Sequence, residues 1–247
     1  MTFAPLQLVE ILERSDQGVT RPFLCRCEDD NLYYVKGRDA GSRSLLCEWL
    51  AGHLARSFGL PVPPFAIVQA PRSLVELYPE GSALGASPAF GSRVVAHVQE
   101  LTAAHVDAVP DPLRRDVLVF DWWIRHLDRA LSSLGGNPNL LWDADSGKLV
   151  VIDHNVAFDP KFSPRVFSET HVFAAGIPKV FHDLVEPARY AERLQEALVA
   201  WPAACQNVPD EWWFADEERT VPADFDPEAT LALLNRCTQE AFWKLTT

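Results

Sequence analysis

Two acids and an amide stand at the ends of apolar runs in the middle of the chain: Asp128 in "FDWWIRHLDR", Asn139 in "NPNLLW" and Asp153 in "LVVIDHN". The helical run before Asp128 carries Val117, Phe120, Trp123 or Ile124, and Leu127 on one face, so this acid is expected where a buried helix ends, held by the scaffold yet able to reach a cleft. Asn139 follows eleven residues later, directly before an apolar strand, where its amide oxygen can serve a hard cation; Asp153 ends the next strand. In that order the three supply a carboxylate to orient or deprotonate a hydroxyl and an oxygen pair for one or two Mg²⁺ ions. This is the equipment of phosphoryl transfer from ATP. Taken singly, each acid reads as a turn former or helix-end residue; the ordered set turns the reading toward chemistry.

A cation and its partner lie upstream. Lys36 ends "LYYVKG" and shares a strand face with Tyr34, while Val35 points the other way. Burying that ammonium is costly unless an anion meets it. At about 100° per residue, Glu48 shares its helix face with Leu45, Ala51, Gly52 and Ala55, a stripe of small and apolar residues in which an acid wants a cation. A strand Lys fixed by a helix Glu can hold the phosphates of ATP. The alternative is a Lys36 that snorkels at the strand end and a solvated Glu48.

These residues need a scaffold. "LQLVEILERS" alternates and then breaks at the turn-rich "SDQGVTRP"; "FLCRCEDDNLYYVKG" reads as a β-hairpin around "EDDN". Residues 42–58 have helical periodicity, with Ser42 or Ser44 as cap and Gly59 as stop. "PFAIVQA" and "FGSRVVAHV" are further strands. From about residue 99 the pattern becomes helical, at 112–127, 187–200 and 227–244, with a small hairpin of runs 139–142 and 148–152 around "DADSG". Pro-rich stretches at 61–88 and 202–227 read as surface connections. The expected fold is α+β, with a β-rich lobe holding one helix over residues 1–98 and a mainly helical lobe over 99–247.

The totals fit such a molecule. A chain of 247 residues, 48 % hydrophobic, can bury a sizeable core. With 34 acidic and 22 basic side chains its net charge is −12, which argues against nucleic acid and anionic membranes as partners. "MTFAPLQLVEILERS" lacks the cationic start of a leader, and no run approaches the roughly 20 apolar residues of a spanning helix, so a cytoplasmic location is expected. Five scattered Cys form neither a disulfide framework nor a zinc spacing, and Cys25 and Cys27 share one strand face as packing residues. "DWW" at 121–123 and "EWW" at 211–213 read as anchors and not as base-stacking platforms.

The pieces "GVTRPFL", "YYVKG", Glu48, "FGLPVP", "FGSRVV", "FDWWIRHLDR", "NPNLLW" and "VIDHN" resemble the HipA-like kinases, of protein-kinase-like fold, over roughly residues 16–158. The resemblance implies a bilobal fold in which Lys36 contacts ATP phosphates, Glu48 holds Lys36, Asp128 is the catalytic acid-base residue, and Asn139 and Asp153 bind Mg²⁺. It also implies that "SDQGVT", with Gly18 and Thr20, closes over the phosphates; as a local pattern the same stretch is a hairpin turn.

Several features depart from kinase patterns. "RALSSLGGNP" separates Asp128 from Asn139 by more than the four residues common in catalytic loops, and Asn137 competes as metal ligand; Gly135 and Gly136 would let the excess fold out as a bulge. "DHN" replaces the usual Asp-Phe-Gly, with Asn155 tolerant of positive φ. His126 is expected to be structural, orienting the loop backbone. Leu127 stands where many kinases carry Arg, which argues against an Arg pocket for a phosphorylated loop. "FSETHVFAAG" (167–176) reads as an activation-like segment; Ser163 and Ser168 are expected to be unmodified surface residues, with self-modification of either as the alternative. The leading expectation is a Ser/Thr protein kinase using ATP and Mg²⁺. A pseudokinase serving as a nucleotide-sensing or partner-binding module, and a small-molecule kinase, are the alternatives.

Overall fold

The computed structural model describes residues 4–16, 20–132 and 135–245. These fall into two compact units of mixed α and β structure. The first comprises residues 1–49, 63–96 and 204–225; the second comprises 50–62, 97–203 and 226–247. The change of texture expected near residue 98 is close to one of these boundaries, but residues 50–62 and 204–225 lie on the far side of a linear division.

The first unit is built on a closed five-stranded barrel in the order β1-β2-β3-β5-β4, with β1 at Leu6–Arg14, β2 at Phe23–Cys27, β3 at Leu32–Lys36, β4 at Phe65–Gln69 and β5 at Ala89–Arg93. Neighbours are antiparallel except at the seam, where β1 and β4 run parallel with Leu6 opposite Val68. Alternation along β2 sends Phe23, Cys25 and Cys27 inward to pack with Leu8, Tyr33, Val35 and Val68. Burial pushes both thiols up to about 12, so they are inert packing groups.

Helix α1, Ser42–Phe58, has the expected bounds and ends at Gly59 with φ 95°. Two further helices in this part of the chain, α2 at Arg72–Leu77 and α3 at Gly81–Leu84, correct the expectation of one. They are too short to show periodicity, and Pro71 and Gly85 bound them. The "EWW" stretch is an anchor: Trp212 is buried, donates to the Pro88 carbonyl at 2.8 Å and packs edge-on against Trp49. Trp49 in turn donates to the Ala204 carbonyl at 2.9 Å. Residues 204–225 thereby belong to the first unit, anchored in its core by Trp212 and Ala204.

The second unit carries a two-residue strand β6, Gln99–Glu100, and helix α4, Asp111–Trp123. Strands β7, Ala130–Ser132, and β8, Gly135–Asn137, pair with each other, whereas β9, Leu140–Asp143, and β10, Lys148–Val151, form a sheet with β6. Helices α5 at Pro164–Thr170, α6 at Ile177–Phe181, α7 at Glu186–Leu198, α8 at Trp201–Gln206 (whose last three residues fall in the first unit) and α9 at Pro227–Leu234 complete it. Helix α4 stops at Trp123, short of the expected 127, because Arg125 takes φ 52° and His126 N–H returns to the Asp121 carbonyl, a left-handed helix end. The expected helix 227–244 breaks after Leu234 into 3₁₀ turns at Asn235–Thr238 and Glu240–Trp243. Asn235 caps back on the Leu231 carbonyl there.

Trp122 organises this unit's aromatic core. Its ring lies 5.4–6.0 Å from those of Phe162, Phe167, Phe181 and Phe242, and its indole N–H reaches the Phe242 carbonyl at 3.1 Å. Among the described residues no helix is long and apolar enough to cross a membrane. Trp122→Ala empties that centre, and we expect a loss of about 3–5 kcal/mol in urea unfolding, against less than about 1.5 kcal/mol for Val166→Ala at a half-exposed position.

Candidate active site

Two sets of polar residues, one in each unit, contain the sequence-predicted site residues. In the first unit β3 delivers Lys36 to the end of a buried strand and the first half of α1 delivers Glu48. Their exposures are only 8 % and 3 %, and Lys36 Nζ donates to Glu48 Oε1 at 2.5 Å. Leu45, Ala51, Gly52 and Ala55 are all buried beside Glu48, as its helix face requires. The snorkelling alternative is thus excluded: Tyr34, two residues earlier on the strand, is exposed, whereas the ammonium is buried against a carboxylate.

Thr20 is half-buried in a bend before β2. Ser15 N–H bonds the Pro22 carbonyl at 2.9 Å, and Arg21, at φ 37°, donates to the Ser15 carbonyl, so the ends of "SDQGVTRP" close as a hairpin. Gly18 lies outside the described residues.

In the second unit three residues converge by backbone register. Leu140 pairs with Val151 across β9 and β10, and the ladder continues with Ile152 N–H to the Asn139 carbonyl at 3.1 Å. Asn139 and Asp153 therefore emerge at the same open end of the hairpin. The amide nitrogen of Asn139 donates to the Asp128 backbone carbonyl at 2.6 Å and to its carboxylate Oδ2 at 3.2 Å. That orientation leaves the amide oxygen for a further partner. Asp128 and Asp153 are half-buried and Asn139 is nearly covered. Asn139 and Asp153 have φ of 49° and 56°, a conformation that costs free energy in non-glycine residues and persists where the surroundings enforce it.

The excess residues between Asp128 and Asn139 fold out as the β7–β8 hairpin, so Asn139 stays beside Asp128. Gly136 has φ 158°, and a Cβ there would run into the Ala130 carbonyl, which explains the second glycine of the pair. Asn137 belongs to β8 and is exposed. Asn139 is the residue that meets Asp128.

What enforces the backbone was not read from the sequence. Arg129, fully buried, donates from Nε to Asp121 Oδ2 at 2.6 Å and from Nη1 to the carbonyls of Pro138, Asn139 and Ile152 at 3.3, 2.7 and 3.2 Å. One side chain thus ties the residue next to Asp128 to the backbone at Asn139 and just before Asp153. Asp121 also bonds His171 Nε2 at 2.9 Å. Burial acts to raise the Asp121 pKa, but the Arg129 charge and the His171 hydrogen bond outweigh it and hold the carboxyl well below its usual range. Asp121 sits between buried aromatics on α4, where an acid must find a cation, and that was a usable signal. His171, fifty residues away in sequence, offered none.

His126 is buried, as expected of a structural residue, but its ring makes no hydrogen bond among the described residues and does not orient the backbone that way. Its Nδ1 lies 3.8 Å from Asp121 Oδ1, and its ring is 5.9 Å from that of His154. Burial pushes His126 down to about 4, and lowers His154 and His171 as well.

The donor set suits a hard cation. Among the described residues no cluster of three or more His, Cys, Asp or Glu forms a metal cage. An amide oxygen with one or two carboxylates is instead the sparse oxygen set to which Mg²⁺ adds water and phosphate ligands. The chain matches the HipA-like kinase family over residues 8–246 and belongs to it. No curated protein sequence matches it. Among solved structures it is similar to the proinflammatory kinase CtkA of Helicobacter pylori, at 12 % identity and a TM-score of 0.49, over 96 % of this chain and 95 % of that one. It also aligns with the FAT and kinase domain of CtTel1 at 14 % identity and a TM-score of 0.23, over 95 % of this chain and 24 % of that one.

The three neutral histidines set an acid limit on stability. Their folded pKa values lie below the unfolded value of about 6.5, so the unfolded chain binds more protons and stability falls as pH drops from there toward 4. Asp121, depressed in the fold, adds a further loss below roughly pH 4. We expect the unfolding free energy from urea melts to fall by about 2–5 kcal/mol between pH 7.5 and 5. A flat profile over that window would show that these rings are not held neutral.

Proposed function

We propose that the protein is an ATP- and Mg²⁺-dependent kinase that transfers the γ-phosphoryl group to a Ser or Thr hydroxyl of a protein acceptor, with the first unit as nucleotide lobe and the second as catalytic lobe of a bilobal fold. The observation that carries this reading is the meeting of Asp128 and Asn139 at the open end of the β9–β10 hairpin that also bears Asp153. Lys36, fixed by Glu48, offsets charge on the ATP phosphates. The "SDQGVT" stretch, with Gly18 and Thr20, covers those phosphates with backbone N–H groups and a hydroxyl. Asn139 and Asp153 hold Mg²⁺, which when bound neutralises charge on the phosphates. Asp128 orients the acceptor hydroxyl and takes its proton; the Asn139 amide fixes the carboxylate for that task.

The folded-out β7–β8 hairpin supports catalysis over the pseudokinase reading, since the long loop leaves Asn139 beside Asp128. The acceptor class rests on the family alone, and the negative net charge is consistent with a protein and not a nucleic-acid substrate.

Intact-mass analysis after incubation with ATP and Mg²⁺, alone and with a panel of protein and small-molecule acceptors, tests the reading. We expect phosphate incorporation that needs both ATP and metal. Asp128→Asn should lower the rate by roughly 10²–10⁴-fold without shifting the melting temperature. ATP binding with no transfer to water, self or any acceptor would instead identify a nucleotide-binding module.

A further inference from the structure

The Asp121–Arg129 pair has a third member, and the proposed phosphoryl transfer gives it no task. His171 lies just after α5 and is buried. Both of its ring nitrogens are engaged: Nδ1 accepts the Phe173 N–H at 3.1 Å, and Nε2 lies 2.9 Å from Asp121 Oδ2. A ring nitrogen that accepts a hydrogen bond carries no proton, so the proton must sit on the other. The ring is therefore neutral and donates from Nε2 to the carboxylate. Burial, which lowers the His171 pKa, acts in the same sense.

The carboxylate offers both of its donors the same atom. Arg129 Nε also reaches Asp121 Oδ2, at 2.6 Å, whereas Oδ1 accepts no hydrogen bond among the described residues. The last torsion of an aspartate is soft, and a single donor can follow the oxygens as it turns. Two donors anchored on different elements cannot. His171 is anchored through its backbone as well: it forms an antiparallel bridge with Ala130, and the next N–H, that of Val172, bonds the Arg129 carbonyl at 2.9 Å. Beyond Arg129 Nε the guanidinium is planar and rigid, so the direction of that one bond decides where Nη1 points. Nη1 is the atom that takes the carbonyls of Pro138, Asn139 and Ile152.

We propose that His171 is a positioning residue for the site at Asn139 and Asp153: by holding Asp121 Oδ2 it fixes the plane of the Arg129 guanidinium, and through it the backbone of Asn139 and Ile152, without touching metal, nucleotide or acceptor. The structural part rests on the hydrogen bonds alone; the consequence for Mg²⁺ rests on the reading of Asn139 and Asp153 as its ligands. The competing role is local, in which His171 serves only the turn at Phe173. Two substitutions separate them. A Gln side chain carries an amide N–H about where Nε2 stands, and keeps the bond to Asp121 while giving up the one to Phe173. Asn carries an amide oxygen about where Nδ1 stands and does the reverse.

Full-length wild type, His171→Gln and His171→Asn are compared by NMR amide exchange at Ile152, whose N–H bonds the Asn139 carbonyl at 3.1 Å, and by calorimetry of ATP with Mg²⁺ and with EDTA. Exchange is read against the amides of α4, which report opening of the whole unit. We expect His171→Asn to speed Ile152 exchange at least about tenfold relative to α4 and to cut the Mg²⁺-dependent gain in ATP affinity at least about fivefold. His171→Gln should stay close to the wild type in both. The opposite order assigns His171 to the turn alone, and two variants that match each other, impaired or not, leave the Asp121 bond without a role; either result overturns the proposal. So does a wild-type ¹⁵N spectrum with the imidazole proton on Nδ1, a test that needs no variant. A wild type with no Mg²⁺ gain refutes the metal reading instead, and Ile152 exchange still decides the part played by His171.

Discussion

The Asp121–Arg129 ion pair is the constraint on which the second unit depends. Both side chains are fully buried, at an N–O distance of 2.6 Å, and neither could be placed there alone without a large desolvation cost. A buried pair of this kind contributes little net stability compared with an apolar substitute of the same volume. What it contributes is position. Arg129 spends Nε on Asp121 and Nη1 on three carbonyls, so hydrogen bonds fix the backbone at and next to Asn139 and Asp153, the two residues at positive φ. The charge of Arg129 also helps keep the neighbouring histidines neutral.

The first unit solves a related problem differently. Lys36 and Glu48 are also a buried pair, but they have each other at 2.5 Å and sit at the end of a strand and on a stripe of small residues. In both units a charge is fixed by an opposite charge before any ligand arrives. This is preorganisation of the kind that phosphoryl transfer, with little covalent chemistry of its own, relies on.

Much of this was readable because it is local. Alternation in β1 to β3, the bounds of α1, and the β9–β10 hairpin follow from runs of four to seventeen residues whose periodicity is short-range. The Lys36–Glu48 pair followed from two such elements and the cost of leaving a charge unpaired. What was not readable is long-range or sub-helical. Asp121 was hidden inside a run scored for its apolar face, and its partners lie 8 and 50 residues away. The return of residues 204–225 to the first unit depends on indole N–H bonds to carbonyls more than 100 residues away in sequence, at Trp49 to Ala204 and Trp212 to Pro88. Helix ends also drifted where a residue other than glycine adopts positive φ, as Arg125 does, since only glycine announces such a stop in a sequence.

The central claim is that Asn139 and Asp153, set side by side by the hairpin and held by Arg129, form a metal-dependent nucleotide site. Isothermal calorimetry of ATP with Mg²⁺ and with EDTA tests it most directly, on the wild type, Asn139→Leu and Asp153→Asn, each first shown to keep its melting temperature. The account predicts that Mg²⁺ tightens ATP binding by the wild type at least about tenfold and gives no such gain in either variant. An undiminished Mg²⁺ gain in both folded variants would contradict it.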